Sequence, residues 1–164
     1  MGVYIRTERG KERIMELVLY YGAEDPEMKK NVMMMKSVLV RMGVRIRNVR
    51  PDQVMETVGY LAGMPGFEEQ EERQEPFPVI PEQMLVMKGF SGSRIDTLLY
   101  QLRRAGVPKI ALKAIVTEHN CGWSFYKLYE ELCQEHRMMT GQETDPSRQQ
   151  TKGDARDGGL LQIR

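Results

Sequence analysis

The sequence predicts an α/β fold: a small, open, mainly parallel four-stranded sheet built from two β-α-β-α units, with helices packed on its faces. Three observations carry that expectation. Leu17–Gly22 and Met84–Gly89 are short apolar runs closed by glycine, which reads as strands buried on both faces. Each is followed by a capped segment whose apolar residues recur at helical spacing. Each of those segments ends at a glycine that opens a further β-like run, in Met42-Gly43-Val44 and in Ala105-Gly106-Val107. Strands joined through helices lie parallel with right-handed crossovers, hence the mainly parallel sheet.

The first strand is Leu17-Val18-Leu19-Tyr20-Tyr21. Asp25 then caps a helix with Pro26 in its first turn and Glu27 at the positive end of its dipole. Met28, Val32, Met35, Leu39 and Met42 draw one apolar stripe along that helix, and Gly43 ends it. Val44 to Val49 is a strand that buries one face and offers Arg45 and Arg47 on the other. Pro51-Asp52 opens a shorter helix reaching Gly59 or Ala62. In the second half, Met84–Lys88 is a strand and Ser91 enters a helix, with Phe90 before the cap packing on Ile95 as a hydrophobic staple. Ile95, Leu98, Leu99 and Leu102 form its buried stripe, Ala111–Val116 is the fourth strand, and Ser124 caps a helix running to Met139. The two halves suggest an internal repeat.

One α/β domain is expected over residues 13–139, its halves 13–67 and 82–139 joined by an acidic, proline-rich exposed linker at 68–81. Residues 140–164 carry no apolar periodicity and read as a disordered tail. Twenty-four basic residues against twenty-three acidic ones leave a net charge of +1, which removes the global attraction to phosphate typical of nucleic-acid binders. Arg41, Arg45, Arg47 and Arg50 form the densest basic stretch, read as a solvated face. No apolar run approaches the ~20 residues of a membrane span. Charged residues between Arg6 and Arg13 interrupt any secretory leader, and two cysteines are too few for a disulfide framework, so cytoplasmic residence is expected.

The reactive side chains concentrate in Thr117–Ser124, followed by Cys133 and His136. Two cysteines and two histidines invite a zinc reading, but a helix from Ser124 to His136 rises ~18 Å, far beyond the ~2.0–2.3 Å reach of zinc ligands, so no metal is expected. Neither common Gly-rich phosphate loop occurs, and no motif calls for a cofactor. Cys121 stands before a helix N-terminus with His119 two residues away, an environment that favours thiolate, but it has no Cys-x-x-Cys partner. Lys113 interrupts a strand of small and apolar residues; snorkelling at a sheet edge or a functional role would account for it. In open α/β sheets ligands gather at the carboxyl ends of strands, where Thr117, Asn120 and Trp123 would join it around an anion or small polar ligand. A purely structural reading of the same loop also stands: Asn120 and Gly122 make a turn, Trp123 staples the helix and Ser124 caps it.

Gln83–Ser91, Leu112–Thr117, Asn120, Trp123, Leu128, Glu131 and Glu135-His136 together resemble a family of small bacterial proteins known as domain of unknown function 3783. The distinctive part is a Lys-Ala-x-x-Thr-x-x-Asn-x-x-Trp pattern beginning at Lys113. The resemblance implies a bacterial cytosolic setting and draws attention to Lys113, Thr117, Asn120, Trp123 and His136, without implying a substrate. Cys121 lies outside the pattern. The function expected is a non-catalytic small-ligand or protein-binding, regulatory module that uses the C-terminal end of the sheet. The alternatives are a small enzyme using Cys121 and His119, or a homo-oligomeric scaffold, such as a homodimer joined through a sheet edge.

Overall fold

The computed structural model describes residues 3–7, 10–71 and 75–141. Strands β1 (Val3–Thr7) and β2 (Gly10–Ile14) pair antiparallel in a two-stranded sheet of their own, which the sequence reading did not anticipate. The main sheet contains β3 (Leu17–Tyr21), β4 (Arg45–Val49), β5 (Met84–Lys88) and β6 (Leu112–Ile115) in the order β4-β3-β5-β6. The helices are α1 (Lys29–Met42), α2 (Val58–Leu61), α3 (Gly92–Arg104) and α4 (Phe125–His136). Short 3₁₀ turns at Pro26–Met28 and Pro51–Gln53 precede α1 and α2, and a π-turn, Arg137–Gly141, follows α4.

Caps fall where the side chains dictate. The Asp25 carboxylate accepts the Glu27 N–H at 2.9 Å, Ser91 Oγ accepts from the Arg94 amide at 3.2 Å, and Ser124 Oγ accepts from the Lys127 amide at 3.0 Å. Gly43 closes α1 in the left-handed region at φ 75°, where its N–H reaches back to Leu39 and Val40. The helix expected from Pro51 to Ala62 is split. Thr57 adopts extended backbone and starts α2 afresh, its hydroxyl accepting the Tyr60 N–H at 3.1 Å.

The sheet is mixed, so the expected mainly parallel arrangement is met in part: two of its three strand pairs are parallel and the central one is antiparallel. Within each half the strands are parallel, Leu17 lying beside Arg45 and Met84 beside Leu112, as crossovers through α1 and α3 require. Between the halves β3 and β5 are antiparallel, with Leu17 opposite Lys88 and Tyr21 opposite Met84. The reason is the connection after α2. It brings the chain to Ile80 and Pro81, at the end of the sheet where β3 and β4 finish, so a strand starting there runs the opposite way. That connection is also not wholly exposed: Ile80 is buried, Phe77 packs on the core, and the Glu56 carboxylate accepts the Gln70 N–H. The expected disordered tail falls, from residue 142 onward, outside the described residues.

Alternation along the strands separates two apolar layers. Val18, Tyr20, Leu85 and Met87 face α1 and α3, meeting Val32, Met35, Leu39, Ile95, Leu98 and Leu102. Leu19, Tyr21, Met84, Val86, Leu112 and Ala114 face α2 and α4, meeting Val58, Leu61, Phe125, Leu128 and Leu132. Gly59 lets α2 approach its neighbours, since a Cβ there would stand 2.5 Å from the Phe67 ring. Among the described residues no helix is long and apolar enough to cross a membrane.

Candidate functional site

Because β3 and β5 are antiparallel, the sheet has carboxyl strand ends on both sides. That of β6 leads into the Thr117–Ser124 turn and that of β5 into the start of α3; those of β3 and β4 open into a cleft.

At the turn, Asn120 is 1% exposed and holds the loop together. Its Oδ1 accepts the Thr117 N–H at 2.9 Å, and its Nδ2 donates to the Ile115 carbonyl at 3.0 Å. Thr117 Oγ1 accepts from the backbone amides of His119 and Asn120, both at 3.1 Å. Beyond the turn, the Trp123 ring meets His119 edge-on, with centroids 5.3 Å apart, while Lys127 Nζ stands 4.8 Å from the Trp123 centroid. The loop also stitches the two halves: Val58 and Gly59 donate to the carbonyls of Trp123 and Cys121, and Phe125 and Tyr126 donate to those of Glu56 and Val54. The geometry of Asn120, Trp123 and Ser124 thus follows the turn, staple and cap of the structural reading.

Cys121 is buried, and its Sγ contacts the Glu118 carbonyl at 3.6 Å. Among the described residues His119 and Cys121 share no hydrogen bond, and the His119 ring instead meets Trp123 edge-on. Lys113 sits on the edge strand, 3% exposed, on the face towards α1 and α3, and donates to the Ile110 carbonyl three residues earlier. Burial that deep goes beyond snorkelling, in which the ammonium stays in water. His136, at the end of α4, lies at the opposite end of the sheet from Thr117, Asn120 and Trp123. The structure therefore brings Thr117, Asn120 and Trp123 together and leaves Lys113 and His136 apart from them.

The cleft at the other end has a volume of about 530 Å³. Its floor is apolar: Tyr21 and Val49 end β3 and β4, Ile80 comes from the connection before β5, and Leu112 begins β6. Glu24, Asp25 and Glu82 bring carboxylates to it from the β3 and β5 ends, while Lys109 and His136 belong to the β6 side. Gly22, at φ 121°, turns the chain away from β3 at the mouth; a Cβ there would stand 3.3 Å from the Tyr20 hydroxyl. That hydroxyl donates to Gln83 Oε1 at 2.6 Å, fixing the wall between β3 and β5.

The phenols beside the cleft are held neutral. Burial first, and the Asp25 charge second, push Tyr20 up to about 12. Burial, then Glu24, hold Tyr21 above its ordinary value, against a lowering hydrogen bond with the Ile80 backbone. Next to the cleft, Cys133 Sγ lies 4.0 Å from Glu82 Oε1, and burial pushes its thiol up. Among the described residues no group of three or more His, Cys, Asp or Glu side chains is placed to hold a metal ion. The sequence reading did not single out Tyr21, Glu24, Glu82 and Lys109, which line this cleft. The signal that could have found them was Gly22 directly after a buried strand, together with helices leaving β3 and β4 for opposite faces.

The family model described as domain of unknown function 3783 matches residues 83–139, the stretch from the start of β5 through α4, and the chain resembles that family over this stretch. No curated protein and no solved structure matches the chain.

Proposed function

We propose that the protein is a non-catalytic binding module whose small-molecule ligand sits in the cleft at the carboxyl ends of β3 and β4. The observation that carries this reading is the coincidence of an open cleft of about 530 Å³ with a topological switch point. After β3 the chain crosses to the face covered by α1, and after β4 to the face covered by α2. Neighbouring strands whose connections part in this way leave a crevice between their carboxyl ends, which is where open α/β sheets take ligands. The volume falls within the ~300–1,000 Å³ usual for small-molecule sites. An apolar floor with a few polar groups at its rim has the composition such sites use. Cys121 is buried and His119 engaged with Trp123, so neither supports a reading as a nucleophile and its base.

Two finer readings accompany the proposal. The halves are copies of one β-α-β-α unit: strands starting at Leu17 and Arg45 and the cap Thr57 recur 67 positions later at Met84, Leu112 and Ser124, and Thr57 and Ser124 form an antiparallel bridge. The setting is a reducing cytoplasm, in keeping with two free cysteines.

The test is a fragment screen by amide chemical shifts on the whole chain. Hits should shift Tyr21, Gly22 and Leu112, and filling the cleft with Ala111→Trp should abolish them. Hits that cluster on another surface, or persist in the filled variant, would overturn the proposal.

A further inference from the structure

We propose that the ligand of this cleft is a small organic cation, an ammonium carried on an apolar or aromatic stem; the inference rests on the binding reading above and adds the class of ligand. Three carboxylates, Glu24, Asp25 and Glu82, line the cleft, and among the described residues none of them forms an ion pair with a lysine or arginine. Asp25 spends one oxygen on the Glu27 amide, and Glu82 Oε1 lies 4.0 Å from the Cys133 thiol. Lys109 is the one lysine of the lining, so the carboxylates outnumber it three to one.

The charge is not merely peripheral. Behind burial as the main cause, Glu24 raises the phenol of Tyr21, which ends β3 in the cleft floor. An aromatic ring under a negative rim is the arrangement that receives an ammonium, through the negative face of its π-system and the carboxylates together. The apolar floor of Val49, Ile80 and Leu112 would take the stem that carries it. An anion would find no comparable seat, with a single lysine against three carboxylates. The low wall dielectric around a concave site focuses such a field and raises the local concentration of counter-charged ligand.

The experiment uses three probes of one shape: 2-phenylethylamine, 2-phenylethanol and phenylacetate, titrated into the whole chain at low salt and followed by amide shifts. The amine should shift Tyr21, Gly22 and Leu112 and bind at least about fivefold more tightly than the alcohol, with phenylacetate weaker still. Glu24→Gln combined with Glu82→Gln, both at exposed positions, should weaken the amine about five- to tenfold and leave the alcohol unchanged. Added salt should reduce the preference. If all three probes occupy the cleft equally, or the acid binds best, the cation inference fails while the cleft remains a binding site. If none shifts the cleft and a broad fragment set also avoids it, both readings fail together.

Discussion

At the scale of single residues, the buried polar groups divide into those that complete the fold and those that face the cleft. Asn120 belongs to the first kind, satisfying two backbone groups that no strand or helix would otherwise pair. In the sequence Asn120 stood out as a candidate ligand contact beside Thr117 and Trp123, but residue identity alone does not say whether an amide is aimed at a ligand or at its own loop. Tyr20 joins the two kinds, being 1% exposed with its hydroxyl on Gln83 at the cleft wall. Its phenol is raised to about 12 in the folded chain from an ordinary value of 10.0, so folding favours the protonated form. The stability this contributes is fully present below pH 10.0 and is lost as the pH rises towards about 12. Urea unfolding of the wild type should therefore show a steep loss of stability across that window. Tyr20→Phe, which keeps the ring and removes the ionisable group, should start less stable at pH 7 and converge on the wild type above pH 10.0; parallel profiles would contradict the assignment.

At the scale of elements, the local signals were read correctly where one side chain decides the outcome, as with Asp25, Ser91 and Ser124 at helix starts and Gly43 at a helix end. Strand direction was not legible, because Leu17–Tyr21 and Met84–Lys88 are apolar on both faces and look alike read forwards or backwards into a sheet. Nor was the tie that fixes β3 against the helices. Glu16, immediately before β3, is 3% exposed and takes a two-pronged contact from Arg94 of α3, Nε to Oε2 at 2.8 Å and Nη2 to Oε1 at 2.7 Å. The same Nη2 donates to the Met42 carbonyl at the end of α1. Seventy-eight positions separate the pair, so no periodicity could announce it. One guanidinium thus joins β3, α1 and α3, and removing it strands a buried carboxylate. Arg94→Ala should cost about 3–5 kcal/mol. Glu16→Leu with Arg94→Met should recover most of that loss, because the unpaired charge goes with its partner. A double variant as unstable as the single one in urea would show that the charges themselves are needed.

At the scale of the whole molecule, the question is whether either half stands alone, since each has two parallel strands and its own helices. Length and patterning suggested one domain in two halves, and the arrangement of the core makes that suggestion testable. Both apolar layers draw on both halves: Leu19, Val49 and Leu61 meet Met84, Leu112 and Phe125 on one face, and Val18, Met35 and Leu39 meet Leu85, Ile95 and Leu98 on the other. The seam runs through the centre of the sheet, where β3 pairs with β5, so parting the halves would expose a buried strand edge on each. It would also break four backbone hydrogen bonds that join the segment from Val54 to Gly59 with that from Cys121 to Tyr126. Each half would keep roughly half of an already small core, and a two-stranded sheet covered on two faces is too little to offset the ordering of its chain. Cleft formation depends on the same seam, because Tyr21 and Val49 come from the first half, Glu82 and Leu112 from the second, and Ile80 from the connection between them. Residues 10–71 and 75–141 made as separate chains should therefore each show little protected amide structure, and mixing them should restore both the α/β circular dichroism and the cleft shifts with 2-phenylethylamine. If either fragment alone protected its amides like the whole chain, the halves would be independent domains and the cleft a contact between them.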